Sequence, residues 1–254
     1  MMLGITLVRF VSTGRALLVM AALATFVACG AEPEADNGAA DVTRGLLSAA
    51  GANAPPPIPG PDGNPTPVRD VPVDDLGFNR GSSDAPVRVI EMSDYGCGYC
   101  RQFHIETFPS LREEFIETGM VEWKFVPYVT GMFDNSLPAL RAAECTLEQS
   151  SETFEVVNER LWHDQAEWKR SGDAPGLVRS WVAAAGADME AFDDCMASGR
   201  RFERIAAAGG LARQLGVRGT PTFLVVGYGP LQGALPLDTF RRVLGSVHQD
   251  VTGQ

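Results

Sequence analysis

Two cysteines separated by two residues, Cys97-Gly98-Tyr99-Cys100, follow the apolar run Val87 to Met92 almost directly. After them come Arg101 to His104 and a helical spacing of Phe103, Leu111 and Phe115. A buried strand, a tight turn and a helix opening on two thiols form a specific arrangement. A helix start points unpaired N–H groups and the positive end of its dipole at the first cysteine, which favours thiolate over thiol. Thiolate is the form that attacks a disulfide. Cys97 is therefore the expected nucleophile, and Cys100, one turn in and better shielded, the thiol that resolves or re-forms the bond. Two other chemistries fit this motif: half of a zinc site, or a cross-link without turnover. Structural zinc takes four ligands, and the chain has no second CxxC and no HxxxH. Thiol–disulfide exchange is the stronger reading, and neither a metal nor a cofactor is expected.

A second segment, Gly216-Val217-Arg218-Gly219-Thr220-Pro221, leads into the apolar run Thr222 to Val226. A proline just before such a strand reads as an edge residue or a cis turn. Together with the CxxC it resembles the thioredoxin superfamily, in which a cis-proline loop faces the active-site cysteines. Gly81-Ser-Ser-Asp-Ala-Pro-Val87 and Glu91-Met-Ser-Asp-Tyr95 narrow the resemblance to the DsbA-like thiol–disulfide oxidoreductases of bacterial envelopes. It covers about residues 78 to 248, specific in the two active-site motifs and loose between them.

The resemblance implies an α/β thioredoxin fold with an inserted all-helical block. It places Glu91, six residues before Cys97, as the buried acid that relays protons to and from the second cysteine, with a pKa raised by burial. Lys124 matches the lysine that accompanies that acid in relatives; a structural ion pair or plain exposure is the competing reading. Thr220 and Pro221 would pair with an incoming substrate strand, a form of β-augmentation. Implied partners are unfolded or disulfide-containing envelope proteins and a membrane redox partner of DsbB, VKOR or DsbD type. Gly98-Tyr99 contains no cation to hold a thiolate, so a weaker oxidant than DsbA is expected. The same dipeptide, with Thr220 before the proline, is also similar to disulfide isomerases. Those are usually dimers with a separate dimerisation domain, and no folded candidate precedes residue 76, so a monomer is expected.

The elements that must position these groups can be read in order. Residues 1–28 carry Arg9 and Arg15, the apolar stretch Ala16 to Ala28 and a small residue before Cys29. Thirteen residues, apolar except for Thr25, suit a signal-peptide core and are too few to span a bilayer. Phe26-Val27-Ala28-Cys29 resembles a bacterial lipoprotein signal with Cys29 as the acylated residue, although Phe26 departs from the usual leucine and ordinary secretion is the alternative. Residues 29–75, rich in Ala, Gly and Pro, read as a disordered, solvated tether, with Pro55 to Pro61 extended. The domain then spans 76–254. Val121 to Val126 alternates as a second strand, and about 134–214 reads as helices: Leu137 to Leu147, Phe154 to Leu161, Leu177 to Val182, Ala187 to Met196 and Arg200 to Leu215. A last helix runs from about Leu237 to Val247.

Beyond residue 28, 19 basic side chains face 32 acidic ones, a balance of −13. That argues against nucleic acid and anionic lipid surfaces as partners. Of five cysteines, Cys29 ends the export signal. The other four allow three pairings; with Cys97 and Cys100 adjacent, Cys145 is left with Cys195 for a structural disulfide, two buried free thiols being the alternative. Tyr95, Tyr99 and Phe223 read as apolar walls outside the site. His104, His163 and His248 read as structural or surface residues, and Glu113-Glu114 and Asp193-Asp194 as solvated helix faces. The sequence thus describes an exported, lipid-anchored periplasmic or cell-envelope oxidoreductase. An isomerase or reductase kept reduced by a membrane donor, and a tethered peptide-binding chaperone with an inert CxxC, are the rival functions.

Overall fold

The structure, a computed structural model, describes residues 71–253 together with 58, 60 and 62–66. Five strands form one mixed sheet: β1 (Phe78–Arg80), β2 (Val87–Ser93), β3 (Val121–Pro127), β4 (Thr222–Val225) and β5 (Pro230–Gln232). Their order is β1-β3-β2-β4-β5. β2 and β3 run parallel at the centre, flanked by antiparallel pairings on both sides. Central strands covered on both faces need continuous apolar runs rather than alternation. Every residue of β3, and all of β2 except Arg88, is accordingly buried.

Helix α1 occupies residues 98–116 between β2 and β3. It comprises α-helical segments Gly98–Gln102 and Phe108–Leu111, each followed by a π-helical turn, Phe103–Thr107 and Arg112–Ile116. Pro109 accounts for the first widened turn. It has no N–H to donate and its ring crowds the carbonyl four residues back, and Phe108 N reaches instead to Phe103 O. Between β3 and β4 come α2 (Ser136–Gln149), α3 (Ser151–His163), α4 (Gln165–Arg170), α5 (Ala174–Ala184), α6 (Met189–Ser198) and α7 (Phe202–Gln214). Helix α8 (Leu237–Thr252) follows β5. The inserted all-helical block is therefore present where the spacing placed it, with one helix, α4, that the spacing did not show. Among the described residues no helix is long and apolar enough to cross a membrane.

Three apolar clusters hold these layers. Phe103, Phe108, Leu111 and Phe115 of α1 and Phe240 and Leu244 of α8 cover one sheet face, against Val89, Trp123 and Phe223. Ala207, Ala208 and Ala212 of α7 cover the other, against Ile90, Met92 and Val126. The helical block has its own core around Phe154, Leu161, Trp162, Trp168 and Trp181, continuous with Tyr95, Cys97 and Cys100.

The tether expected over 29–75 is shorter than the composition suggests. Ile58 is only 6% exposed and belongs to the core of the helical block. A tight turn frames it, with Gly60 N donating to Asn64 O and Thr66 N to Ile58 O. Val71 and Val73 pack on the α7 side of the sheet, and Val73–Asp75 is a 3₁₀ turn. Composition marks this segment as loop, yet an isoleucine among prolines still loses apolar area to water by docking. The expected signal, the expected lipidation of Cys29 and most of the expected tether fall outside the described residues.

Cys145 of α2 and Cys195 of α6 are joined by a disulfide, with Cα atoms 5.8 Å apart and a sequence separation of 50. Charged clamps surround it: Arg201 and Arg204 both reach Glu144, and Arg200 bridges Glu148 and Asp194. Closing such a loop stabilises by roughly 4 kcal/mol in the chain-entropy account. Replacing both Cys145 and Cys195 by alanine should lower the unfolding free energy by about that amount in urea titration, with the Cys97–Cys100 chemistry intact. An unchanged unfolding midpoint would contradict this.

Candidate active site

Cys97 is the N-cap residue of α1, in extended conformation, and Cys100 lies inside the first turn. Both are free thiols in this structure. Cys97 keeps 4% of its surface and Cys100 none. The peptide bond between Thr220 and Pro221 is cis, and the Thr220 carbonyl oxygen lies 3.4 Å from Cys97 Sγ. The two sequence motifs, more than a hundred residues apart, thus meet at one sulfur. Thr220 Oγ1 is buried with no hydrogen-bond partner among the described residues, so the hydroxyl is available to donate to a thiolate. Pro221 contributes less to substrate pairing than its motif implies. It has no N–H, and its carbonyl already accepts from Gly233 N at 2.8 Å.

The two thiols are electrostatically unequal. A hydrogen bond from Cys100 holds the Cys97 thiol down at about 6, helped by the Thr220 side chain and the N–H groups of Cys100 and Tyr99, against partial burial. Burial first, then the hydrogen bond and charge of Cys97, pushes the Cys100 thiol well above the ordinary value. One sulfur is prepared to carry negative charge near neutrality and the other to carry a proton.

Asp94 builds the turn that presents them. Its Oδ1 accepts from Gly96 N at 2.8 Å and from the Ser136 hydroxyl. Its Oδ2 accepts from Thr130 N and Thr130 Oγ1, both at 2.8 Å. Cys97 N donates to the Asp94 carbonyl at 2.9 Å. Gly96 is required by close approach: a Cβ there would lie 2.4 Å from Phe133 Cβ. Tyr99, in contrast, is 68% exposed, two residues from Cys97, while Tyr95 and Phe223 are core residues.

Glu91 is wholly buried on the sheet face that α1 covers. Its Oε1 lies 2.5 Å from the Ser93 hydroxyl and 2.7 Å from His104 Nε2, and its Oε2 accepts from Trp123 Nε1 at 2.9 Å. Burial alone pushes the carboxyl up, as the sequence led one to expect. The charge and hydrogen bond of His104, with Ser93 and Trp123, outweigh it, and the net shift is downward. Lys124 does not accompany Glu91. In the parallel register Glu91 pairs with Phe125 and Ile90 with Lys124, so adjacent side chains on β3 alternate and Lys124 points to the opposite face. There its Nζ donates to Asp74 O and Asn79 Oδ1, and burial first, then Arg88, lowers it to about 8. His104 takes the place expected of the lysine. It stacks on Trp162 at 4.2 Å and lies one helical turn beyond Cys100, a placement its isolation in the sequence did not suggest. Among the described residues no group of acidic, histidine or cysteine side chains could hold a metal.

Comparison with known proteins agrees with this geometry. A family model described as thioredoxin matches residues 76–244. A probable disulfide bond formation protein D of Bacillus cereus is 28% identical over 151 residues, covering 58% of this chain and 68% of that protein. Disulfide bond formation protein D of Bacillus subtilis is 33% identical over 98 residues, which span 39% of this chain and 44% of that one. The fold matches oxidised BdbD from Bacillus subtilis (TM-score 0.60, 22% identity, 67% of this chain and 92% of that one). It also matches DsbA from Chlamydia trachomatis (TM-score 0.62, 19% identity, 72% and 98%). The chain belongs to the thioredoxin family, as a DsbA-like thiol–disulfide oxidoreductase whose fold carries a helical insertion.

The lowered Cys97 value fixes a pH dependence. A thiol whose folded value is depressed stabilises the reduced protein fully above the unfolded value, near pH 8.5–9. That stability is lost as pH falls through about 6. Alkylation of Cys97 in the reduced protein should therefore rise with a midpoint near pH 6, while Cys100 stays unlabelled. A midpoint near the ordinary thiol value would show that the helix start and the Thr220 loop do not hold a thiolate at Cys97.

Proposed function

We propose that this protein is an exported oxidase that forms disulfides in other envelope proteins through the Cys97–Cys100 couple. The observation that carries the reading is the inequality of the two thiols, a stabilised thiolate against a buried, protonated partner. In the oxidised protein a substrate thiolate attacks Cys97 Sγ, the Cys97–Cys100 bond breaks, and Cys100 leaves and takes up a proton. A second substrate thiolate then attacks the substrate sulfur of the mixed disulfide. The substrate disulfide forms, Cys97 leaves as thiolate, and two electrons have passed to the protein. Stabilising that thiolate favours release, because a thiol of low pKa leaves faster and a stabilised reduced form makes a stronger oxidant. A disulfide of a membrane redox partner, of DsbB or VKOR type, would take the electrons back.

Supporting this reading, the Thr220 carbonyl faces Cys97, and the exposed Tyr99 offers an apolar contact to an unfolded chain. The N-terminal signal implies export, and acylation of Cys29 would tether the domain at a membrane as a monomer. Glu91 and His104 hold the sheet beneath the site, with Glu91 the candidate proton carrier for Cys100. Lys124 has no part in this scheme.

Oxidative refolding of reduced, unfolded ribonuclease in a glutathione buffer tests the proposal. The wild-type protein should accelerate it catalytically. Cys97→Ser should abolish the acceleration, and Cys100→Ser should accumulate mixed disulfides with substrate because the intramolecular resolving thiol is gone. Absence of turnover in the wild type would leave a binding module, and mixed disulfides formed through Cys100 would reverse the assigned roles.

A further inference from the structure

Three consecutive carbonyl oxygens at the active-site turn are held by a single short helix of the inserted block. Gln165 Nε2 donates to Tyr95 O at 2.7 Å and to Cys97 O at 2.8 Å. Lys169 Nζ, one turn later on α4, donates to Gly96 O at 2.5 Å. The helix is anchored for this task. Trp168 is fully buried and its Nε1 donates to Leu161 O at 2.8 Å, and Asn135 reaches the carbonyls of Trp168 and Lys169 from the loop before α2. The Lys169 ammonium lies 4.9 Å from the centre of the Phe133 ring, the ring against which Gly96 packs.

The electrostatic consequence follows from these contacts. A carbonyl oxygen is the negative end of a strong dipole, and carbonyls without donors beside a sulfur would oppose a thiolate. Cys97 O also accepts from Arg101 N at 3.1 Å, whereas Tyr95 O and Gly96 O take their donors from Gln165 and Lys169. Lys169 also brings a full positive charge to within one peptide unit of Cys97, in a site of low polarity where charge acts more strongly than in water. The Gly98-Tyr99 dipeptide supplies no such cation.

The other charged or titratable groups near the turn do not substitute for it. Asp94 is saturated by its donors. Burial pushes the Tyr128 phenol up, keeping it neutral. Arg101 of α1 points to His163 O at the end of α3. Glu91 and His104 are engaged with each other, and Arg218 in the proline loop is exposed.

We propose that Lys169 and Gln165 are positioning residues through which the inserted helical block stabilises the Cys97 thiolate and sets the reduction potential of the Cys97–Cys100 couple. The inference rests on the reading of that pair as the redox couple. It gives the insertion an electrostatic role in the chemistry beyond covering the site.

The test compares the full-length chain with Lys169→Met, Lys169→Arg and Gln165→Leu, by the pH dependence of thiolate ultraviolet absorbance and by equilibrium with glutathione. Lys169→Met should move the Cys97 midpoint from about 6 up by roughly one pH unit, a tenfold change in the thiolate-to-thiol ratio. At pH 7 this weakens the reduced form about fivefold, or ~20 mV toward more negative potential. Lys169→Arg, which keeps charge and donor, should stay near wild type, and Gln165→Leu should raise the midpoint as well. A folded Lys169→Met protein with the wild-type midpoint and potential would overturn the proposal. Should Lys169→Met fail to fold, the Gln165→Leu midpoint decides on the same terms. Failure of the wild type to exchange disulfides would instead overturn the functional reading, while the midpoints would still decide whether α4 acts on the thiolate.

Discussion

Four donors converge on the buried carboxylate of Asp94: Gly96 N, the Ser136 hydroxyl, and Thr130 through both its N–H and its hydroxyl. They come from the active-site turn, from the loop after β3 and from the first turn of α2. A carboxylate taken out of water is tolerated only when such donors replace its hydration, so this one group obliges three separate segments to meet. Because Cys97 N donates to the Asp94 carbonyl, the same residue fixes where α1 begins. The position of Cys97 at a helix start, on which its acidity depends, is thereby set by a wholly buried group.

From that knot the asymmetry of the thiols follows. Cys97, at the N-cap, receives N–H groups and faces the Thr220 loop; Cys100, three residues on, is sealed among the apolar residues of the helical block's core. One location favours charge and the other excludes it. The helical insertion serves both ends of this contrast. Its core buries Cys100, and its short helix α4 caps the carbonyls that lead to Cys97. The disulfide between Cys145 and Cys195 lies farther along the block and holds α2 against α6. Both cysteine pairs belong to one continuous core, with Cys145 and Cys195 joined and Cys97 and Cys100 free.

Much of this was legible in the sequence. The apolar run into Cys97 and the proline before Thr222 are local signals, and the spacing of Leu137, Phe154 and Leu177 marks helices without reference to anything distant. The illegible parts depend on which residues meet across the fold. Whether Lys124 shares a face with Glu91 turns on the register of β3 against β2, and a shift of one residue moves every side chain to the other face. His104 carries no local signal because its partner lies on a strand thirteen residues earlier. Helix α4 was missed because six residues hold too little periodicity, and because the turn that Gln165 and Lys169 bind lies some seventy residues earlier in the chain. Ile58 sits among prolines that composition assigns to a loop, and composition cannot report that one apolar side chain in a loop finds the core.

The reduction potential of the Cys97–Cys100 couple, measured by equilibration with glutathione, tests the account most directly. Thioredoxin, with a nucleophile of pKa about 7, lies near −270 mV, and DsbA, with about 3.5, near −120 mV. A thiolate held near 6 places this couple between them, at roughly −230 mV on that scale. A value at or below about −270 mV would contradict the claim that the fold stabilises the Cys97 thiolate.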